Sequence, residues 1–457
     1  MKKFIVIATL LLLSTAPVLA DSPYMATGIK IGEVTDSEAI VWVRLTANEK
    51  RVDYGAPMPN VTYTHADTGE PLDGSKHYRK PYAVPAVEFP DGSSIDTIEG
   101  AVPGARGVAR VHYKPETDSE FKVTPWQKVD AEADFTTQFQ LSDLMPGSQY
   151  VVRIESGASI HGKHRFFEGS FSTSPAAETV VPVTFTVVTG QRYPDRDSED
   201  GFKIYHTMLK NKPNFFVHTG DILYYDQLGK TRALANWHWQ RIYGMSSLVN
   251  FHKQVPSYFE KDDHDTFMND AWPTMETRFM GDFTFKEGQE IFLQQVPMGE
   301  KTYRTFRWGK DLQIWLVEGR DFRDANPIED GPWKSIWGVE QMAWFMETVK
   351  ASDATFKVLI SPTPVVGPDR GNKNDNHANE GFTYEGNLLR EFIASQKNMV
   401  VACGDRHWQY VSVDQTYGVK EYSSGPVSDE HAGGWKNDML RPEHKYLNVI
   451  GGFLEIT

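Results

Sequence analysis

Three short polar runs hold the residues best suited to chemistry. Gly220-Asp221-Ile222-Leu223-Tyr224 follows the apolar NFFVHT, and Asp262-Asp263-His264-Asp265, with Asn269 shortly after, follows VPSYFEK. Gly404-Asp405-Arg406-His407 directly follows NMVVAC. Carboxylate, phenol and imidazole make a mixed oxygen and nitrogen donor set, suited to hard cations rather than to thiolate-bound structural zinc. Singly, each run has a plain explanation. A strand-end Asp serves as a turn or helix cap, DDHD as a solvated turn, and His407 as a satisfied histidine. Together, each beside a predicted strand end, they argue for one shared metal site.

The elements that must position these runs are legible as apolar segments. VTFTVVTG, NFFVH, LQIWLVEG, FKVLISPTP and NMVVACGD read as strands. They alternate with helical patterns such as GFKIYHTMLKNK, where Phe202, Tyr205, Met208 and Leu209 share a face, and GVEQMAWFMETVK. Such alternation predicts a layered α/β domain from residue 181 to 457, with ligands at the carboxyl ends of its strands. YLNVIGGFLEIT reads as a further strand.

The N-terminal part has another character. TGIKIGEVTDSEAIVWVRLT contains two β-type runs, with Ile40, Trp42 and Arg44 on one face and Val41, Val43 and Leu45 on the other. Leu141, Leu144, Pro146-Gly147 and Tyr150 fit a tyrosine corner, so residues 21–175 read as a fibronectin-like β-sandwich. Residues 50 to 130 are rich in Gly, Pro, Asp and Ser, which predicts long loops or insertions.

The chain has 457 residues, 40% hydrophobic, with a formal net charge of −14. That sign excludes nucleic acid as a stable partner but not a small anionic substrate, since metal charge acts locally. MKKFIVIATLLLLSTAPVLA reads as a Sec-type signal peptide over residues 1–20, cleaved after Ala20, so a periplasmic or secreted protein is expected. No later segment is long and apolar enough to span a bilayer, so no membrane partner is expected after cleavage. The single cysteine, Cys403, sits in an apolar run and reads as a buried core thiol.

The order GDxxY, DDHD, GDRH, with HTGDILYYD and CGDRHW, resembles the metallophosphoesterase superfamily and most closely its alkaline phosphatase D (PhoD-like) family. WGVEQMAWF is similar to that family's helix before the late metal-binding loop. The resemblance covers essentially all of the mature chain. It implies an N-terminal fibronectin-like β-sandwich followed by an α/β catalytic domain of two β-sheets flanked by helices, holding two or more metal ions. In that scheme Asp221 bridges the metals, Tyr224 and His407 bind the first, and Asp263 stands for the superfamily's asparagine ligand. Asp405 replaces a histidine at the second, which brings calcium in beside iron as an expected ion. His264 matches the histidine that contacts the phosphoryl group and protonates the leaving oxygen, oriented by Asp262 or Asp265.

The pattern also departs from the family. Gly190, in VVTGQRYPDRD, occupies the place of a metal-binding cysteine, leaving Gln191, Asp195 or Asp197 as substitutes. LISPTPVVGP lacks the superfamily's histidine, so Asp375, Asn376 and His377 in the following loop are candidate ligands, the alternative being a polar surface turn. Arg192 and Arg406 are candidate clamps for substrate oxygens. Trp237, Trp239 and Tyr243 form either a pocket wall or core. The expected activity is an exported metal-dependent hydrolysis of phosphate esters, using a metal-activated hydroxide and His264 as general acid on a small anionic ester. A sulfatase on the same scaffold and an inactive anion- or metal-binding protein are the alternatives.

Overall fold

The structure is a computed structural model that describes residues 22–457; the expected signal peptide lies outside the described residues. Two layered units follow one another. In the first, the antiparallel strands Ile29–Gly32, Ala39–Arg44 and Thr136–Leu141 face a sheet containing Val108–Pro115, Gln149–Gly157 and His164–Ser172. Ile29, Ile31, Val41, Val43 and Leu45 fill the space between the layers against Val111, Val152, Ile154 and Phe171. The tyrosine corner is present: the Tyr150 hydroxyl accepts from the Met145 amide at 2.8 Å.

The alternate face of these strands is buried too. Trp42 Nε1 donates to the Gln294 carbonyl (2.7 Å) and Lys30 Nζ to that of Gln295 (2.8 Å), both in the helix Phe285–Gln295 of the second unit. Arg44 pairs with Asp134 at 2.7 Å. Strand Ile29–Gly32 also runs parallel to Ser257–Glu260, with Gly32 opposite Ser257, so one seven-stranded sheet continues from the sandwich into the α/β unit. Gly32 is required there, because a Cβ would lie 2.5 Å from the Ser257 carbonyl oxygen. Residues 173–184 join the units without forming a strand.

In the α/β unit the strands Phe185–Val188, Phe215–Thr219 and Ser257–Glu260 are parallel, with Leu454–Ile456 on the edge. The facing sheet runs Arg304–Trp308, Leu312–Leu316, Phe356–Ser361, Met399–Cys403, Lys420–Ser424, Gln409–Val413, His444–Asn448. YLNVIGGFLEIT is thus two strands, parted around Gly451-Gly452. Phe185, Val187, Phe215 and Val217 meet Ile314, Leu316, Val358 and Ile360 between the sheets. The outer faces are covered by helices, including Lys203–Asn211 and Arg232–Tyr243 on one side, Gly338–Ala351 and Thr383–Ala394 on the other. Burial on both faces is why these strands read as continuous apolar runs. Cys403 is buried.

The stretch from 50 to 130 contains a small sheet, Asn60–His65, Pro71–Leu72 and Ala83–Glu88, whose intervening loop carries Tyr78 and Arg79 to the α/β unit. No helix among the described residues is long and apolar enough to cross a membrane.

Candidate metal centre

The three polar runs leave the carboxyl ends of Phe215–Thr219, Ser257–Glu260 and Met399–Cys403 and converge. The chain must turn abruptly at each end, and Asp221 (φ 55°) and Asp405 (φ 61°) adopt the left-handed conformation. Non-glycine residues hold that region at a cost, which a surrounding site must offset. Gly220 permits the turn: a Cβ there would stand 2.6 Å from the Asp262 amide nitrogen.

Three donor atoms define the first position. Tyr224 Oη lies 2.9 Å from Asp221 Oδ2 and 3.1 Å from His407 Nε2, and those two are 3.4 Å apart. Ligands that share one ion at about 2.1 Å stand roughly 3 Å from one another, so this triangle has the dimensions of a coordination face. A second grouping is formed by Asp221, Asp262 and Asp405, all buried. Asp262 Oδ1 accepts from Arg320 Nε (2.6 Å), but Asp262 Oδ2 and Asp221 Oδ1 are buried with no hydrogen-bond partner. The Asp405 carboxylate contacts the Arg406 guanidinium. Unpaired buried carboxylate oxygens are costly, and a cation between Asp221 and Asp262 satisfies both. The donor set therefore fits metal ions, and Asp221 belongs to both groupings.

His264 stands beside this cluster, its ring 4.3 Å from that of Tyr224. Its Nδ1 bonds to Asp226 Oδ2 (2.5 Å), and Arg79 Nε holds the other Asp226 oxygen at 2.7 Å. Burial alone would lower the imidazole pKa, but Asp226, then Asp263 and Asp221, outweigh it and raise it to about 10. With Nδ1 committed, Nε2 is the nitrogen left for a substrate. His264, Tyr224, His407, Arg192 and Arg79 line a cavity of about 400 Å³.

Residues 242–447 match the model of the PhoD-like phosphatase family. That match covers somewhat under half of the chain and shows a PhoD-like phosphatase domain there. A solved structure of PhoD superposes with a TM-score of 0.70 at 16% identity, covering 96% of this chain and 85% of that one. The purple acid phosphatase PPD1 from yellow lupin (Lupinus luteus) seeds gives a TM-score of 0.61 at 11% identity, covering 96% and 70%. At those identities the likeness is one of fold. No curated protein matches the chain in sequence. The match to the PhoD-like phosphatase model supports a metal-dependent phosphoester hydrolase as the enzyme class.

Asp221, Tyr224, Asp263, His264, Asp405 and His407 are brought together. Asp263 is shared between the group with Asp221 and His264 and another with Asp270 and Asp375. That last group is already matched by cations. Lys373 contacts both Asp270 and Asp375, and Arg320 lies 3.6 Å from Asp375 and 3.8 Å from Asp263. Asp375 thus answers cationic side chains, and Asn376 bonds to Asp369 (2.8 Å). His377 is not brought to the cluster: its Nε2 pairs with Glu385 at 2.9 Å and its ring abuts Trp337.

Other expectations need correction. His264 is oriented by Asp226, not by Asp262, which binds Arg320, or Asp265, which accepts from the Asp262 and Ile222 amides. Arg406 is fully buried and bonded to Asp369 (2.5 Å), so it braces the loops instead of meeting substrate. Arg192 lines the cavity, paired to Asp195 at 3.0 Å. Trp237, Trp239 and Tyr243 are core. Gly190 does lie against the centre: a Cβ there would be 3.3 Å from His407 Nε2. None of its suggested substitutes joins the triangle. Gln191 bonds Tyr205 and Ile222, Asp197 caps the helix at Lys203, and Asp195 binds His431 Nδ1 (2.8 Å).

His431, Asp226 and Arg79 were missed. His431 Nε2 lies 2.8 Å from Tyr224 Oη, tying the phenol to Asp195. Asp226 ends the run LYYD, two residues beyond Tyr224, so its signal was present in the first motif. His431 and Arg79 come from segments without a recognisable pattern.

Proposed function

We propose that the protein is an exported metal-dependent hydrolase of small anionic phosphate esters, acting in the periplasm or outside the cell. The observation that carries this reading is the triangle of Asp221 Oδ2, Tyr224 Oη and His407 Nε2, with Asp221 Oδ1 and Asp262 Oδ2 unpaired beside it. Calcium or iron suits such a donor set, and two positions fit the two oxygens of Asp221. Bound ions would supply an activated water and positive charge against the ester oxygens.

The chain's own residues supply the rest. Arg192, held by Asp195, faces the cavity and binds a phosphoryl oxygen. His264 presents Nε2 to the leaving oxygen and donates its proton there, while Asp226 and Arg79 hold the ring at the other nitrogen. The Tyr224 and His264 rings pack at a tilt of 38° with centroids 4.3 Å apart, which keeps the acid against the ligand face. The test is hydrolysis of matched aryl phosphate and aryl sulfate esters by metal-loaded protein. Preference for the phosphate supports the reading; preference for the sulfate makes the protein a sulfatase. Binding without turnover of either makes it an inactive binder. Export is tested by N-terminal sequencing of the mature protein, which should begin at Asp21.

A further inference from the structure

Beside the metal centre lies a second cavity of about 590 Å³, which shares Arg192, Tyr224 and Gln227 with the first. One wall comes from the N-terminal unit, where Tyr54 is 58% exposed. The Arg196 guanidinium lies 4.9 Å from the Tyr54 ring and 4.2 Å from that of Tyr193, giving a flat cation–aromatic wall.

Two further lining residues, His238 and Arg241, are 1% and 5% exposed and have polar atoms with nothing to bind. Arg241 Nη2 donates to His238 Nδ1 at 2.8 Å. A guanidinium is only a donor, so Nδ1 is the acceptor and the ring proton sits on Nε2. That Nε2–H and the Arg241 Nε–H are both buried without an acceptor. Burial, then the charge of Arg241, holds the His238 pKa well below its ordinary value, in keeping with a neutral ring.

Arg241 also makes no ion pair among the described residues. The nearby carboxylates are committed: Glu99 accepts from Tyr193 (3.0 Å) and Arg196 (3.2 Å), and Asp195 from Arg192 (3.0 Å). A buried guanidinium ordinarily has an anionic partner. Here no carboxylate takes that place: the guanidinium lies 4.1 Å over the Trp237 ring and 4.7 Å over that of Tyr193, in the wall of the cavity next to the reacting centre.

We propose that this second cavity is a leaving-group subsite for esters whose organic part is planar and carries its own anionic group, such as a carboxylate. The ring rests against Tyr54, Tyr193 and Arg196, and the anion accepts from Arg241 and His238. The inference rests on the phosphoesterase reading for the orientation of the substrate, though the pocket's anion preference is a binding property.

The experiment therefore uses non-hydrolysable probes on the metal-loaded protein. Binding of benzylphosphonate and 4-carboxybenzylphosphonate is measured by calorimetry for the wild type, Arg241→Met and Tyr54→Ala. One charge-assisted contact predicts that the carboxylated probe binds about tenfold or more tightly. Arg241→Met should abolish that preference, and the exposed Tyr54→Ala should weaken both probes severalfold without altering the thermal midpoint. Equal affinity of the two probes for the wild type, or a preference retained in Arg241→Met, overturns the subsite. If Arg241→Met does not fold, an undiminished affinity of Tyr54→Ala for the carboxylated probe overturns it instead. Turnover of the corresponding benzyl phosphates is scored separately: the expected binding preference without turnover leaves the subsite standing and refutes the phosphoesterase reading.

Discussion

Removing metal should destabilise the protein by an amount that the unpaired carboxylate oxygens set. Asp221 Oδ1 and Asp262 Oδ2 are buried without a partner. Each buried unsatisfied oxygen of this kind costs about 1–3 kcal/mol, more when charged, so an ion that satisfies both recovers roughly 2–6 kcal/mol. The same range follows from mass action, since free ion at about 1,000 times its Kd stabilises by about 4 kcal/mol. For a chain of 457 residues the unfolding entropy at about 2 cal/mol/K per residue comes to roughly 1 kcal/mol/K. Chelation should therefore lower the thermal midpoint by about 2–6 °C, provided the two units unfold together. Differential scanning fluorimetry with and without EDTA, followed by return of calcium, manganese or ferric iron, measures this directly. Asp221→Asn should remove most of the chelator-induced shift. A wild-type midpoint that chelation does not move, or an equal shift in Asp221→Asn, refutes the reasoning.

His264→Ala should lower kcat by about 10²–10⁴ with metal content nearly intact, whereas Asp221→Ala should lose metal as well; elemental analysis alongside kinetics separates them, and equal metal loss contradicts the role of His264. Asp226→Asn should lower kcat without lowering metal content, because it loosens the acid and not the ligands; a compensating drop in metal occupancy would count against that placement. Gly190→Ala puts a Cβ 3.1 Å from His407 Cδ2 at a φ of +59°, so it should cost about 1–2 kcal/mol and weaken metal retention, read by chemical denaturation and dialysis. Tyr150→Phe removes the hydroxyl that accepts from Met145, and should cost about 0.5–1.5 kcal/mol with unchanged kcat/KM, since the corner lies in the sandwich.

What the sequence reveals of this site follows from how each residue is held. Asp221, Asp263 and His407 each follow an apolar strand within a few residues, so a run that is readable locally also fixes where the ligand sits. Asp226 and His431 act through partners remote in sequence: Asp226 joins His264 and Arg79, and His431 joins Tyr224 and Asp195. Nothing in SDEHAGG marks that pairing. Arg406 misled because a charged residue between ligands reads as substrate-facing, yet Asp369 holds it inside. The same limit applies to the fold. The alternation of Ile40, Trp42 and Arg44 with Val41 and Val43 was legible, but not that the first face would close on the helix Phe285–Gln295. Strand periodicity says that a face is buried and is silent on what buries it.

The central claim is that Asp221, Tyr224 and His407 hold metal that drives phosphoester hydrolysis. It is tested most directly by the metal content of the purified mature protein, by plasma mass spectrometry, on samples assayed in parallel against aryl phosphate mono- and diesters. The account predicts stoichiometric metal, turnover that chelation abolishes and metal restores, and loss of both in Asp221→Ala. Protein that holds no stoichiometric metal and hydrolyses neither ester after reconstitution contradicts it.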